Sequence, residues 1–167
     1  QYRKPVFYTK VTDSKGNVLI DNTENKATQV FKASTASLLT NVMEDVLEKG
    51  TGVAARLDNM HAAGKTGTTN EAKDLVFAGF TPYYTAAIWA TYDTHAEFPE
   101  SDREFHKRLW AKVMNEIHEG LADMDFETSA TVQEATICTK TGLLARSSCP
   151  SITEYFAVSD LPTERCK

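Results

Sequence analysis

Apolar residues at Leu38, Leu39, Val42, Met43, Val46 and Leu47 follow the i, i+3, i+4 spacing of an amphipathic helix, which predicts one from Ser34 to Lys49. Ser34 is placed to cap its start and Gly50 to end it. A second stripe, Phe105, Leu109, Val113 and Ile117, is widened by Trp110, Met114 and Leu121. It predicts another helix, with Ser101-Asp102-Arg103-Glu104 as a capping box ahead of it and Gly120 as its stop. Between the two stripes, Leu75 to Phe80 and Ala86 to Ala90 are apolar at every alternating position, so both read as strands covered by helices on each side. Thr81-Pro82-Tyr83-Tyr84 is a tight link between them, making them antiparallel neighbours.

Near the start, Val6 to Lys10 and the run VTDSKGNVLI are β-rich and flank Asp13-Ser14-Lys15-Gly16-Asn17, a turn composition that predicts a hairpin. From about Asp123 onward no helical period is visible. Ala135 to Cys138 and Glu154 to Val158 are short strand candidates in a loop-rich appendage. The order is hairpin, helix, strands, helix, tail, which implies an α+β fold: an antiparallel sheet with helices packed on it. The expected division is residues 1–121 and a cysteine-bearing extension, 122–167.

At 167 residues, with 41% hydrophobic and 25% charged positions, the chain has the composition of one globular domain. The net charge of −5 and the lack of a basic run argue against a nucleic-acid partner. No stretch approaches eighteen apolar residues, and QYRKPVFYTK lacks a signal-peptide core, so no membrane span or address is expected in the chain as given. Cys138, Cys149 and Cys166 contain no C-x-x-C pair, and a metal site is not expected, because zinc would need unusual spacing and a borrowed fourth ligand. Their clustering suggests a disulfide plus one free thiol in an extracytoplasmic setting, with reduced, partly buried thiols as the other reading.

The candidate chemistry lies in Ala62-Ala63-Gly64-Lys65-Thr66-Gly67-Thr68. Small side chains let a substrate approach this strand's backbone. Gly67 removes a Cβ where a ligand would lie, and the N–H after it can face a developing oxyanion. Lys65 supplies positive charge, while the Thr66 and Thr68 hydroxyls can donate to a carboxylate. The tripeptide alone is weak evidence, arising by chance in very roughly one chain in ten. Lys140-Thr141-Gly142 repeats it among the cysteines. From these residues alone, a glycine-weakened edge strand with a solvated lysine is the simpler account.

Context changes that weighting. Gly64-Lys65-Thr66-Gly67-Thr68-Thr69-Asn70, Asp74, Phe77 to Tyr83, Trp89 and Tyr92-Asp93 together resemble the third-motif region of class A penicillin-binding proteins. Val11 to Leu19 is similar to the strand pair preceding it in that family, and Glu48-Lys49-Gly50-Thr51-Gly52 to its G-T-G helix end. Ile137-Cys138, Thr141 to Ala145, Cys149-Pro150, Glu154, Phe156, Pro162-Thr163 and Cys166 resemble the C-terminal tail of many Gram-positive members. The resemblance implies the C-terminal part of a penicillin-binding transpeptidase fold, which needs no cofactor. It implies that Lys65 and Thr68 belong to the catalytic set: Lys65 positions the substrate carboxylate, and the Thr68 N–H is an oxyanion donor. Thr66, Gly67 and Thr68 would bind the substrate, with a peptidoglycan stem peptide or a β-lactam lying alongside as an added strand.

The family's other two motifs, S-x-x-K and S-x-N, have no match. None of the nine serines has lysine three positions later or asparagine two positions later. His61 could serve as a base, but no hydroxyl or thiol is placed with it by sequence, and His95, His106 and His118 read as solvated. No paired carboxylates for glycoside chemistry are discernible. The expectation is a transpeptidase fragment, inactive alone, whose partner is the missing N-terminal part of the domain and whose uncovered apolar surface favours self-association. The alternative is a non-catalytic binding or scaffolding module of the same fold. A β-lactamase fits less well, because it leaves the tail and Phe77 to Asp93 unexplained.

Overall fold

The Phe77 and Trp110 rings meet edge to face, with centroids 4.9 Å apart and planes at 73°, and the main core is built around them. The computed structural model describes residues 1–167. Around that pair lie Leu47 from helix α1 (Ala33–Glu48), Met114 and Ala111 from helix α2 (Phe105–Ile117), and Ala55, Leu57 and Met60 from the intervening loop. Phe77 itself belongs to the middle strand of an antiparallel sheet of three strands. The order is β3 (Ala63–Thr68), β4 (Asp74–Phe80), β5 (Thr85–Thr91), so β3 is an edge strand. A hairpin, β1 (Lys10–Thr12) with β2 (Val18–Asp21), precedes this core, and a second, β6 (Val132–Cys138) with β7 (Ser151–Ala157), follows it.

The α+β class read from the sequence holds, as do both antiparallel links it predicted. At the first, the Asp13 carboxylate accepts from the N–H groups of Lys15 and Asn17, and Gly16 takes φ +85°. That local network holds the Asp13 carboxyl below the usual carboxylate range, with the Asn17 side-chain amide the largest contributor. At the second, the Thr81 N–H donates to the Tyr84 carbonyl at 2.8 Å, and its hydroxyl oxygen accepts from the N–H groups of Tyr83 and Tyr84.

Several finer expectations are corrected. The first hairpin pairs only from Lys10, not from Val6. The tail strands are longer than expected, at seven residues each. The sheet is covered on one face only: Phe77, Ile88 and Ala86 meet the helices, while Ala78, Ala87 and Trp89 on the opposite face are exposed. Small or amphipathic side chains made both faces of β4 and β5 look alike in sequence.

Neither helix uses the cap assigned to it. Ser34 lies inside the first turn of α1, after Lys32 at the N-cap, and Ser101 lies in a separate 3-10 turn, with its hydroxyl donating to Asp102. Neither helix start carries a side-chain capping bond. Gly120, at φ +81°, does terminate the turn after α2.

The largest correction concerns the buried side of α2. Phe105, Leu109, Val113 and Ile117 lie on its outer side, each 40–47% exposed. The core side is His106, Lys107, Trp110, Ala111 and Met114. Of the three histidines read as solvated, His106 and His118 are therefore buried, while His95 is exposed. His118 joins Thr81 Oγ1 at 2.8 Å through Nε2 and the Met114 carbonyl at 2.7 Å through Nδ1. Neither His106 ring nitrogen has a hydrogen-bond partner, and burial followed by the nearby Lys107 charge pushes its pKa down.

Two predictions follow from this packing. A Cβ on Gly79 would sit 2.7 Å from Trp110 Cζ2 and 2.9 Å from Phe77 Cε1, so Gly79→Ala is expected to destabilise the chain by about 1–3 kcal/mol, measured by urea unfolding. Because folding depresses the His106 pKa, its neutral form contributes stability above about pH 6.5 that declines as pH falls toward the folded value. The thermal midpoint should drop over that range, and His106→Leu should flatten the drop.

Candidate functional site

The free edge of β3 has a definite polarity of donors. Thr69 N–H donates to the Asp74 carbonyl at 3.2 Å, toward β4. Backbone donors alternate along a strand, so the N–H groups of Gly67 and Lys65 also face β4, and those of Thr66 and Thr68 face the open edge. The β4–β5 pairing has the same parity, since the Thr81-to-Tyr84 bond extends a register in which Gly79, Phe77 and Leu75 bond to β5. Thr68 thus presents an unpaired N–H at the position the sequence reading assigned to an oxyanion donor.

The side chains on this strand sort by face. Lys65 is exposed, and its Nζ donates to the Thr66 carbonyl at 3.0 Å. Thr66 Oγ1 lies 2.8 Å from Thr51 Oγ1. The Thr51 carbonyl accepts in turn from Lys107 Nζ at 3.0 Å, and Lys107 also pairs with Glu104 at 2.6 Å. A chain of bonds therefore runs from α2 through the loop after α1 to the strand. Sequence reasoning missed Thr51 and Lys107. Thr51 was visible only as part of the G-T-G resemblance, and Lys107 carried no signal because a lysine is rarely assigned to a buried helix side.

The glycines separate packing from ligand access. A Cβ on Gly64 would sit 2.7 Å from Phe77 Cζ, so the core itself requires that glycine. On Gly67 it would meet only Val76 Cβ at 3.4 Å, an ordinary contact. Folding makes no demand for glycine there, and the space beside it is open to a ligand.

Asp74 anchors the turn after the strand. Its carboxylate accepts from Trp89 Nε1 and Thr69 Oγ1, both at 3.1 Å, and lies 3.3 Å from His95 Nε2. These bonds, that of Trp89 foremost, hold its pKa down. The turn they close includes Glu71 at φ 62° and Ala72 at φ 49°, a conformation non-glycine residues seldom adopt.

His61 is not part of this arrangement. It lies before β3, with Nε2 2.9 Å from Asp125 and Nδ1 3.8 Å from Glu44, at the rim of a cleft lined by Glu44, Glu48, Arg56, Asp58 and Asp123. Its ring nitrogens meet carboxylates only, although the Thr128 and Tyr155 hydroxyls line the adjoining cleft. Lys140-Thr141-Gly142 forms a turn, not a strand: the N–H groups of Thr141 and Gly142 both donate to the Cys138 carbonyl, and Gly142 has φ +72°. The three cysteines are free thiols that converge, their Sγ atoms all lying within 4.8 Å of one another. The Lys140 N–H and then the Thr141 hydroxyl pull the Cys138 thiol down to about 6, against burial. Thr141 favours the Cys166 thiolate too, but Cys149 and Cys138 outweigh it and push that thiol up.

Comparison with known proteins identifies the family. The penicillin binding protein transpeptidase domain profile matches residues 1–119, and that of the C-terminal domain of penicillin-binding protein 1A matches residues 129–167. The chain belongs to the penicillin-binding protein transpeptidase family. It is 33% identical to penicillin-binding protein 1A of Clostridium perfringens over 96% of this chain and 20% of that protein. Identity to the Clostridium tetani protein of that name is 35% over 98% of this chain and 22% of that protein. The chain thus spans about a fifth of the length of these relatives. The crystal structure of penicillin-binding protein 1A from Haemophilus influenzae superposes with a TM-score of 0.76 at 19% identity, over 99% of this chain and 30% of that one, and so shares the fold.

Replacing Asp74 with alanine should lower the thermal midpoint and speed amide exchange across Asn70 to Leu75. Because folding depresses the Asp74 pKa, its contribution is present above the ordinary carboxylate value and is lost as pH falls through the folded value. The deficit of Asp74→Ala relative to the parent chain should therefore shrink in acid.

Proposed function

We propose that this chain is the substrate-holding part of a peptidoglycan D,D-transpeptidase that works through an acyl-serine and is inhibited by β-lactams. The observation that carries the reading is the free edge of β3, where the Thr68 N–H is unpaired, Thr66 is fixed by Thr51, and Gly67 leaves room for a ligand. An extended stem peptide would add to that edge as a strand, with its carboxylate drawn by Lys65 and the hydroxyls of Thr66 and Thr68. As the acyl carbonyl becomes tetrahedral, the Thr68 N–H would donate to its oxygen. A backbone donor held in a sheet needs little reorganisation at that moment.

The nucleophilic serine, its S-x-x-K lysine and the S-x-N motif would come from sequence outside these 167 residues. We assign residues 1–121 to the transpeptidase domain and 122–167 to an extension. The parent would act outside the cytoplasm, anchored by a segment of its own; no helix of these residues is long and apolar enough to cross a membrane. The outer stripe of α2, with Leu39 and Val42 of α1, would be covered by the rest of the domain, and would favour self-association when uncovered. The second reading, a non-catalytic module, rests on the absence of any serine with lysine three positions later. It would hold if the longer native sequence also lacks both motifs.

Labelled penicillin should leave the isolated chain unmodified and acylate the longer parent. Stable labelling of the isolated chain would remove the fragment account. In the parent, Lys65→Ala should slow acylation about 100- to 1,000-fold, the range seen when one stabilising donor is lost from an oxyanion site. An unchanged rate would reduce Lys65 to a surface lysine.

A further inference from the structure

We propose that Cys138, Cys149 and Cys166 form a binding site for a single thiophilic cation, zinc by preference, which fastens the tail together. The thiols come from three separate segments. Cys138 ends β6, Cys149 lies in the turn before β7, and Cys166 sits on the final segment, where Leu144 pairs in parallel with Arg165. Backbone bonds set the three positions: Cys138 N–H to the Leu143 carbonyl at 2.8 Å, Cys166 N–H to the Leu144 carbonyl at 2.9 Å, and Cys149 N–H to the Arg146 carbonyl at 3.0 Å. The resulting sulfur separations are all within 4.8 Å, close to the roughly 3.8 Å expected between two thiolates each about 2.3 Å from one tetrahedral zinc ion.

The need for such a fastening is visible in the burial. In residues 122–167 the only buried side chains are Cys138 and Cys166, so the tail has no hydrophobic centre other than its own sulfur cluster. A unit of this size without a core usually depends on a disulfide or a metal. A disulfide uses two of the three thiols and leaves the third within reach of the bridge, poised for exchange, so no one pairing would be fixed. A cation uses all three. Zinc binds all three sulfurs as thiolates, displacing whatever thiol protons remain, without any change of oxidation state. No histidine or carboxylate joins the group, so the fourth position would be taken by water or by a ligand from outside these residues.

The test begins with the full chain purified from zinc-containing medium without chelator, measured for bound metal. The chain is then stripped under reducing conditions and titrated with cobalt(II) alone. One equivalent of zinc per chain, and a thiolate-to-cobalt charge-transfer band saturating at one equivalent, are expected. Cys149 is only half-buried, so Cys149→Ser should keep the far-ultraviolet circular dichroism spectrum of the parent chain. Its zinc affinity should nevertheless fall by more than the roughly 10- to 100-fold typical of lost outer-shell contacts. Zinc should also slow proteolysis within residues 122–167 of the parent chain and not of that variant. The proposal is overturned if the fully reduced chain holds only trace zinc and gives no cobalt band. It is equally overturned if the chain from an oxidising compartment carries no metal and has a mass lower by two protons, which would assign the cluster to a disulfide.

Discussion

Everything at the candidate site depends on how closely the backbone of β4 can approach Trp110. Two glycines on paired strands, Gly64 and Gly79, remove the Cβ atoms that would otherwise strike Phe77 or Trp110. The aromatic pair can then pack edge to face against the sheet, and Trp110 Nε1 reaches the Ala86 carbonyl on β5 at 3.0 Å. The sheet is thereby fixed to α2, and α2 carries Lys107, which holds the Thr51 loop against Thr66. The position of the edge strand is thus set from behind, by packing some distance from the surface a ligand would touch. This is the arrangement expected of a strand whose outer donors must be rigid before anything binds.

The elements themselves were legible in the sequence because helical and alternating periods are strong signals. Both helices and the strands around Phe77 and Ile88 lie where those periods place them, while the strand bearing Lys65 and the link at Thr81 were read from small residues and turn composition. What failed was the choice of buried face. Phe105, Leu109, Val113 and Ile117 form the more apolar stripe of α2, yet the core takes the face with His106, Lys107 and Trp110. Periodicity reports that a helix has an apolar side but does not say which neighbour is present to cover it. A histidine and a lysine can be buried when one tolerates neutrality and the other finds a carbonyl and a carboxylate.

At the candidate site, the strand bearing Lys65 was legible in the residues, but only half of its supports were. The roles of Lys65, Thr66 and Gly67 were inferred from residue type, and the direction of the Thr68 N–H follows from pairing that no spacing rule supplies. Asp74 was marked by resemblance alone. Its physical task, closing a turn through Glu71 and Ala72 in an unusual conformation, required knowing that Trp89 and Thr69 converge on it. The cysteines show the same limit, since intervals of ten and sixteen residues do not reveal that three segments meet at one point.

The two K-T-G tripeptides carry the same side chains and opposite backbone assignments. Around Gly67 the chain is extended, and every second donor is left available. Around Gly142 the chain reverses, and the donors of Thr141 and Gly142 are consumed on the Cys138 carbonyl. The difference is written by the flanks: small residues and a paired β4 in one case, a strand end and a cysteine in the other. Transplanting the three letters onto another protein would therefore not transfer the open backbone donors. The portable unit is the edge strand with its glycine-relieved backing, of which the motif is only the visible part.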